Sequence, residues 1–161
     1  MEKKMGFGGG CHWCTEAVFA SLTGIKKVEQ GFIRSTAPFD NFSEAVIVTF
    51  EEEIISLQDL IDIHLHTHSS SSHHSMRLKY RSAIYYFTVS DEKKAKDILK
   101  ILQQQFPEPL ITTVIPFDKF KSSLPEHLNY YSTDPKKPFC KLYIHPKLAL
   151  LKEKYSRLIA Q

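Results

Sequence analysis

Three consecutive glycines, Gly8–Gly10, constrain this chain more than any other stretch, because they lead directly into a cysteine. Glycine tolerates positive φ angles and lets other groups approach the backbone closely, so the triplet predicts a sharp or crowded turn. A short apolar strand at residues 5–7 precedes the glycines, and the apolar spacing over residues 15–22 predicts a helix after them. Cys11 is therefore expected where a loop becomes the N-terminus of a helix.

The position expected for Cys11 favours a reactive thiolate. The first N–H groups of a helix have no partners within the helix, and the helix dipole adds partial positive charge there. A free thiol has a pKa of about 8.5, and such surroundings lower it, so more thiolate is present near neutral pH. A cysteine that is simply buried is the alternative, but packing alone does not require a preceding glycine triplet. Cys11 is the candidate nucleophile.

Length and composition are typical of one soluble globular domain over residues 1–161. Hydrophobic residues make up 42% and charged residues 24% of the chain, which are ordinary values. The net charge of +3, without a basic stripe, does not indicate nucleic-acid binding. We find no apolar run long enough to span a membrane and therefore expect no membrane partner.

The cysteines and the N-terminus indicate a reducing compartment. Three cysteines do not make a disulfide framework, so catalytic, redox or metal-binding use is expected. The first residues enter the glycine motif without the apolar region of a signal peptide. We expect a cytoplasmic monomer.

Strand and helix signals alternate along the chain. Strands are expected at residues 5–7, 28–33, 45–50, 83–89 and 110–115. Helices are expected at residues 15–22, after Ser56, after Ser90 and over 146–158. The proline-rich segment before the last helix is expected to be mostly loop. This order predicts a single two-layer α/β (α+β) domain.

Several segments resemble one known family. Residues 8–19, Gly-Gly-Gly-Cys-His-Trp-Cys-Thr-Glu-Ala-Val-Phe, look like the signature of the A-type peptide methionine sulfoxide reductases. Later segments match the family's motifs in the same order, namely 43–46 (aligned on Glu44), 80–82, 116–117, 127–131, 140 and 146–148. The resemblance implies a mixed sheet with a ferredoxin-like core wrapped by long loops. It also implies reduction of methionine S-sulfoxide, free or in proteins, without a bound cofactor and with thioredoxin as reductant.

The resemblance assigns catalytic roles to three side chains. Cys11 attacks the sulfoxide sulfur, Glu44 donates a proton, and Tyr80 is a second hydrogen-bond donor to the sulfoxide oxygen. Apolar neighbours of Glu44 in the sequence fit a buried carboxylic acid that stays protonated, as general acids do. From the residues alone, Glu44 could equally be a solvated glutamate at a strand end, and Tyr80 a half-buried tyrosine in a turn.

The substrate-binding residues implied by the resemblance are His12, Trp13, Phe32, Ser75, His127 and Tyr130. Trp13 and the residue before it correspond to an aromatic wall around the methyl group of methionine sulfoxide, and sulfur packs well on aromatic rings. Three positions depart from the family pattern: His12 replaces a phenylalanine, Phe32 a tyrosine and Ser75 an aspartate. These departures indicate a divergent member in which the chemistry is expected to be retained, while substrate affinity and choice stay open.

Two thiols are candidates for the step after nucleophilic attack. A sulfenic acid on Cys11 condenses with a nearby thiol to a disulfide. Cys140 matches the family's resolving cysteine and lies on a proline-flanked tail. Cys14 lies one helical turn after Cys11, as in a Cys-x-x-Cys redox pair. We favour Cys140 as the resolving thiol. Cys14 is kept as a thiol that exchanges with the disulfide in a second step, or that takes the place of Cys140.

Residues 64–74 are rich in histidine and serine. Imidazoles at this density can bind zinc, nickel or copper, but no cysteine or carboxylate completes a ligand set within the segment. We expect a polar loop on the substrate side rather than a metal site. His64, on the apolar face of the preceding helix, is expected to be structural.

Two other classes of protein remain open on the sequence. The first is a thioredoxin-like disulfide oxidoreductase that uses Cys11 and Cys14 alone. The second is a zinc-binding interaction module built from the three cysteines with His145 or the loop histidines, although a single Cys-x-x-Cys is half of a strong zinc pattern.

Overall fold

The computed structural model describes residues 1–73 and 75–160, which form a six-stranded sheet with helices packed against it. The strands are β1 (Glu2–Gly8), β2 (Ile25–Arg34), β3 (Ser43–Glu51), β4 (Ala83–Tyr86), β5 (Thr113–Pro116) and β6 (Lys119–Ser122). The helices are α1 (His12–Ala20), α2 (Leu57–His66), α3 (Val89–Leu102), α4 (Tyr130–Thr133) and α5 (His145–Lys154). Within these residues, no helix combines the length and apolar character needed to cross a membrane.

The strand order β5-β4-β1-β3-β2-β6 gives a mixed sheet. β4 and β5 are parallel, and the other neighbouring strands are antiparallel. The chain order β1-α1-β2-β3-α2-β4, with central spatial order β4-β1-β3-β2, is the ferredoxin-like arrangement. The predicted α+β domain with a ferredoxin-like core is confirmed.

β3 is the central strand of the core. Residues 43–50 are all buried, because both faces of the sheet are covered at this position. On the helical face, Phe7 of β1 stacks on Phe19 of α1 with ring centroids 4.7 Å apart. On the opposite face, Phe39 and Phe117 from loops and Phe120 from β6 cover a smaller apolar cluster. The two clusters hold β1 and β3 between them, and the candidate site lies at the end of β1.

The predicted boundaries around β4, α3 and β5 differ from the structure. The strand predicted at 83–89 ends at Tyr86, because Thr88 caps α3 and its hydroxyl accepts a hydrogen bond from the Asp91 amide at 3.2 Å. Ser90 was the predicted cap and lies inside α3 instead. The strand predicted at 110–115 is β5, at Thr113–Pro116. β6 was not predicted, since it has four residues and depends on pairing with β2.

The predicted loop around Cys140 was wrong. Cys140–Ile144 is a π-helical turn that runs directly into α5, and both end residues are fully buried against α1. The predicted helix over 146–158 ends at Lys154 and is followed by a short 3₁₀ turn. The amide of Thr23 donates to the carbonyl of Leu158 at 2.7 Å, so the C-terminal segment is tied to the end of α1.

Close packing, rather than backbone conformation, explains the glycines before Cys11. Within the described residues, Gly24 is the glycine with a positive φ, at 80°. A Cβ on Gly8 would lie 3.0 Å from the carbonyl oxygens of Arg81 and Glu44, and one on Gly9 would lie 2.4 Å from the His68 ring. A side chain at either position would collide with its neighbours. The close approach predicted from the sequence is therefore present, whereas a positive φ in the triplet is not.

Gly31 has the tightest surroundings of any glycine in the sheet. A Cβ there would lie 2.2 Å from the Lys121 carbonyl oxygen of β6. We expect Gly31→Ala to lower the free energy of unfolding by about 1–3 kcal/mol, the usual cost of overpacking, because β6 must move away. Urea unfolding measures this change. The control is Gly10→Ala, whose Cβ would meet nothing within 4 Å. Equal stabilities of the two variants would show that β6 is not packed this closely.

Candidate active site

Cys11 lies at the N-cap of α1, as the sequence predicted. Its backbone is extended, with φ −60° and ψ 130°, and its carbonyl accepts hydrogen bonds from the amides of Cys14 (3.1 Å) and Thr15 (3.2 Å). The side chain is half-buried. The glycine loop therefore presents one thiol, partly accessible, to the first turn of a helix.

The surroundings of Cys11 favour its thiolate. A hydrogen bond from the Cys14 thiol is the largest cause that lowers the pKa of Cys11, and the amides of Trp13 and Cys14 add to it. Burial and the negative charge of Glu44 oppose this and raise the pKa of Cys11, but the net shift is downward. The pKa of Cys14 is raised strongly, first because it donates to Cys11 and then because it is buried. Of the two thiols, Cys11 is therefore the one that ionises more readily.

The three cysteines converge on one apolar cluster. Cys14 and Cys140 pack there with Ala17 and Ile144, and Cys11 packs against its edge. All three are free thiols. Burial raises the pKa of Cys140, and negative charge on Cys140 would raise the pKa of Cys14. The structure therefore brings the predicted nucleophile together with both candidates for the resolving thiol.

Lys147 of α5 is a residue of this site that the sequence did not identify. Its amine donates to the carbonyl of Thr67, and burial lowers its pKa. Negative charge on Cys14 and Cys11 raises the pKa of Lys147, and Lys147 in turn lowers that of Cys14. The ammonium thus supplies positive charge beside the cysteine pair. The match of residues 146–148 to the family's Pro-Lys-Leu motif could have drawn attention to Lys147, but the match did not assign a role to this residue.

Glu44 of β3 lies beside the nucleophile, with 6% of its surface exposed. One carboxyl oxygen, Oε1, accepts from the His12 amide at 3.1 Å, and the other, Oε2, lies 3.6 Å from the Lys79 ammonium. The expectation of purely apolar surroundings was therefore wrong. Its polar contacts come from α1 and from the turn before β4.

His12 and Phe32 form one side of the site. The imidazole Nδ1 of His12 lies 2.8 Å from the Gly31 carbonyl oxygen, and Nε2 lies 3.5 Å from Glu44 Oε1. The Phe32 ring meets the His12 ring edge-on, with centroids 5.2 Å apart. Phe32 pairs with Glu44 across β2 and β3. Both predicted residues therefore lie next to the candidate acid.

An aromatic stack forms the opposite side. The Trp13 ring lies parallel to the Tyr130 ring, with centroids 4.1 Å apart and planes 5° apart. The rings of His127 (5.9 Å) and Phe139 (5.3 Å) meet Trp13 edge-on. The sequence predicted Trp13, Tyr130 and His127 here, but not Phe139.

Glu16 fixes the segment that carries Tyr130. Its buried carboxylate accepts hydrogen bonds from the amides of Asn129 (3.0 Å) and Tyr130 (3.3 Å) and from the Gln30 side chain (2.9 Å). The same Gln30 amide also donates to the His127 carbonyl at 3.0 Å. Glu16 lies within the signature segment, yet Asn129 and Tyr130 follow it by more than 110 residues, so sequence inspection did not reveal this role.

Tyr80 is half-buried in the turn before β4. The Lys79 ammonium lies over its ring, 5.1 Å from the centroid, and a hydrogen bond with Tyr80 is the largest cause that raises the pKa of Lys79. Arg77 donates to the carbonyls of Gly9 (2.7 Å) and Tyr80 (2.8 Å), so this turn is tied to the glycine loop. Ser75 is exposed at the start of the turn and makes no hydrogen bond to these residues within the part of the chain that is described.

The histidine-rich segment packs beneath the glycine loop. The ring of His64, which is buried, and that of His68, which is half-buried, lie 4.2 Å apart, and burial lowers the pKa of both, that of His68 to about 3. His68 Nε2 lies 2.7 Å from the Ser82 hydroxyl. Two members of the expected polar loop thus pack against the protein, and the structural role predicted for His64 fits its burial. His73 is exposed, and His74 lies outside the described residues.

Metal-ligating side chains do not cluster in the described ranges. Across residues 1–73 and 75–160, no group of three or more histidine, cysteine, aspartate or glutamate side chains is placed to hold a metal ion.

Comparison with known sequences gives one consistent result. A family model described as peptide methionine sulfoxide reductase matches residues 3–158. The peptide methionine sulfoxide reductase MsrA of Deinococcus radiodurans is 34% identical over 165 residues, covering 92% of this chain and 80% of that protein. The MsrA of Sulfolobus acidocaldarius is 28% identical over 155 residues, covering 88% of each chain.

Solved structures share the fold. Mxr1 from Saccharomyces cerevisiae in its reduced form superposes with a TM-score of 0.77 at 20% identity, covering 86% of this chain and 89% of that chain. Mxr1 in complex with Trx2 gives a TM-score of 0.64 at 20% identity, covering 80% and 84%. At this level of identity the likeness shows the fold.

The hydrogen bond from Cys14 predicts how the reactivity of Cys11 depends on pH. We expect iodoacetamide to alkylate Cys11 first, with a midpoint below the pH of about 8.5 that is typical of a free thiol. Cys14→Ala removes the donor and should move this midpoint upward. Cys14→Ser keeps a hydroxyl donor and should move it less. Peptide mass spectrometry after alkylation at a series of pH values measures each midpoint, and equal midpoints in all three proteins would contradict the role given to Cys14.

Proposed function

The chain belongs to the peptide methionine sulfoxide reductase family and so is an oxidoreductase that reduces methionine sulfoxide, and we propose that Cys11 carries out this reduction on the S epimer. The observation that carries the assignment of the residues is the half-buried Cys11, whose pKa is lowered, beside a buried carboxyl group. A thiolate nucleophile and a proton source are what attack on a sulfoxide sulfur requires. Free and protein-bound methionine sulfoxide are both proposed substrates.

The first step combines attack and proton transfer. The Cys11 thiolate attacks the sulfoxide sulfur while Glu44 gives a proton to the sulfoxide oxygen, and Tyr80 donates a hydrogen bond to the same oxygen. The products are methionine and a Cys11 sulfenic acid. Trp13, stacked on Tyr130, provides an apolar ring surface for the substrate methyl group, and His12, Phe32 and His127 complete the walls. Ser75, exposed in its turn, is the least supported member of the proposed binding set.

The second step forms a disulfide and releases water. We favour Cys140 as the thiol that condenses with the Cys11 sulfenic acid, and Cys14 as a shuttle or substitute. The shared apolar cluster supports this choice, since Cys140 already packs at the start of α1 and does not have to arrive on a mobile tail. Cys11 and Cys14 lie on one helical turn, so a disulfide between them would distort the helix start.

A thioredoxin-like protein is the proposed reductant of the final disulfide. The yeast relative crystallised with Trx2 supports this part of the proposal. A protein that works in this way needs no cofactor of its own, because the electrons come from its cysteines. Such a cycle fits the cytoplasmic location expected from the sequence. Because the chain belongs to this family, we set aside the two other classes considered above, a thioredoxin-like oxidoreductase and a zinc-binding module.

An assay of both sulfoxide epimers tests the proposal. Methionine released from the S and R epimers is measured with dithiothreitol as reductant and again with thioredoxin, its reductase and NADPH. We expect reduction of the S epimer with both reductants. Reduction of the R epimer alone would contradict the proposed stereochemistry, and turnover with dithiothreitol alone would contradict thioredoxin as the partner.

Replacing Glu44 tests the proton donor. We expect Glu44→Gln to slow methionine release in a single turnover by about 10²–10⁴, the usual contribution of general acid catalysis. Alkylation of Cys11 should persist, because the thiolate does not need Glu44. The matched control is Glu108→Gln, which removes a carboxylate from an exposed loop and should leave the rate unchanged. A loss of less than a few-fold in Glu44→Gln would shift the role of donor to Tyr80.

Replacing Cys140 tests the resolving step. We expect Cys140→Ser still to release about one equivalent of methionine per enzyme, because Cys11 alone performs the first step. Turnover with thioredoxin should fall sharply, whereas dithiothreitol attacks the sulfenic acid itself and should largely restore it. Peptide mapping of the wild type after one turnover should find Cys11 joined to Cys140. Full thioredoxin-dependent activity of Cys140→Ser, with a Cys11–Cys14 disulfide, would show that Cys140 is incidental.

A further inference from the structure

We propose that His12 is a positioning residue for the catalytic proton: its imidazole and the Glu44 carboxyl share one proton, which the reaction consumes. This inference rests on the proposed function, in which Glu44 is the general acid. It concerns a residue that replaces the family's usual phenylalanine.

The hydrogen bond to Gly31 determines which ring nitrogen of His12 faces Glu44. A carbonyl oxygen only accepts, so Nδ1, 2.8 Å from the Gly31 oxygen, carries a hydrogen and donates it. Nε2 then faces Glu44 Oε1 at 3.5 Å. Both residues are buried, with 7% and 6% of their surfaces exposed.

A single proton between these atoms removes an electrostatic conflict. Without it, the lone pair of Nε2 would face a carboxylate oxygen in a buried site, where unsatisfied polar groups are costly. With it, the pair is either neutral imidazole beside carboxylic acid or imidazolium beside carboxylate. In such a coupled pair the proton belongs to both groups, so replacing either partner leaves it on a single group.

The other charged and titratable groups around the pair come from three elements. The Lys79 ammonium, on the turn before β4, lies 3.6 Å from Glu44 Oε2 and stabilises the carboxylate. Tyr80 follows Lys79 on the same turn. Cys11, at the N-cap of α1, brings a thiolate whose negative charge favours keeping the shared proton. β2 contributes the Gly31 carbonyl and the Phe32 ring, neither of which titrates. Trp13 lies 6.4 Å from the His12 ring.

The stoichiometry of the first step matches a one-proton pair. One thiolate, one sulfoxide and one proton give one sulfenic acid and one thioether. The Cys11 sulfur loses two electrons, and the methionine sulfur gains them. The proton leaves the pair for the sulfoxide oxygen, which ends as the hydroxyl of the sulfenic acid. Glu44 is then a carboxylate beside neutral His12, and the pair takes a proton from water before the next turnover.

His12→Phe tests the proposal and keeps a flat ring in the wall. Single-turnover methionine release is measured from about pH 6 to about pH 9, in the wild type and the variant. Each profile is normalised to its own rate at the acidic end, because His12 also lines the substrate site and its replacement can change the absolute rate and KM. At the basic end we expect the normalised rate of the variant to be about tenfold lower than that of the wild type, because its decline begins about one pH unit lower. His12→Gln, which can still donate to Gly31 but does not titrate, should behave like His12→Phe. Superimposable pH profiles would overturn the proposal.

Nitrogen NMR gives a readout that does not depend on catalysis. In Cys11→Ser protein labelled with ¹⁵N-histidine, the His12 signals are identified by their loss in His12→Phe. We expect their titration midpoint to fall by about one pH unit or more when Glu44→Gln is added, because the imidazolium loses its partner. An unchanged midpoint would overturn the shared proton. If the midpoint shifts but the wild-type protein shows no reductase activity, the result supports the proton shared by His12 and Glu44 and contradicts the proposed function.

Discussion

Close packing at the junction between β1 and α1 is the constraint on which the site depends. Gly8 lies against the carbonyls of Arg81 and Glu44, and Gly9 against the His68 ring, so neither has room for a side chain. This packing lets the end of β1 sit between β3 and β4 and places Cys11, two residues after Gly9, beside Glu44. The same contact with Gly9 covers part of the His68 ring.

The electrostatics of the site result from opposing contributions whose net effect lowers the pKa of Cys11. Burial and negative charge on Glu44 oppose a Cys11 thiolate, whereas the Cys14 thiol and the helix amides favour it. Lys147, which is half-buried, adds positive charge toward the cysteines. On the other side of the site, the Lys79 ammonium brings positive charge to the Glu44 carboxyl. The His12 imidazole lies beside the same carboxyl, and the proposed proton is shared between them. The protein can therefore hold a thiolate and a proton source close together without one neutralising the other.

The departures from the family motifs are concentrated on the Glu44 side. His12 stands where phenylalanine is usual, and Phe32 where tyrosine is usual. The His12 imidazole lies beside the Glu44 carboxyl, and Phe32 pairs with Glu44 across β2 and β3. The opposite side, with Trp13 and Tyr130, follows the family pattern and stacks closely. Divergence in this chain has therefore changed the surroundings of the acid more than the aromatic surface for the methyl group.

The sequence by itself determined the features that depend on local chemistry. The glycine triplet, the apolar periodicity and the Ser56 cap predicted the main helices and strands, the ferredoxin-like order followed from the family resemblance, and Cys11 was correctly placed at a helix N-terminus. The tertiary structure alone decided contacts between distant segments: Cys140 against Cys14, Glu16 with Asn129, and Lys147 toward the cysteines. Periodicity and capping act over a few residues, whereas burial and charge at a site depend on which surfaces pack together. For that reason the sequence predicted apolar surroundings for Glu44 and a loop at Cys140, and packing against α1 decided both differently.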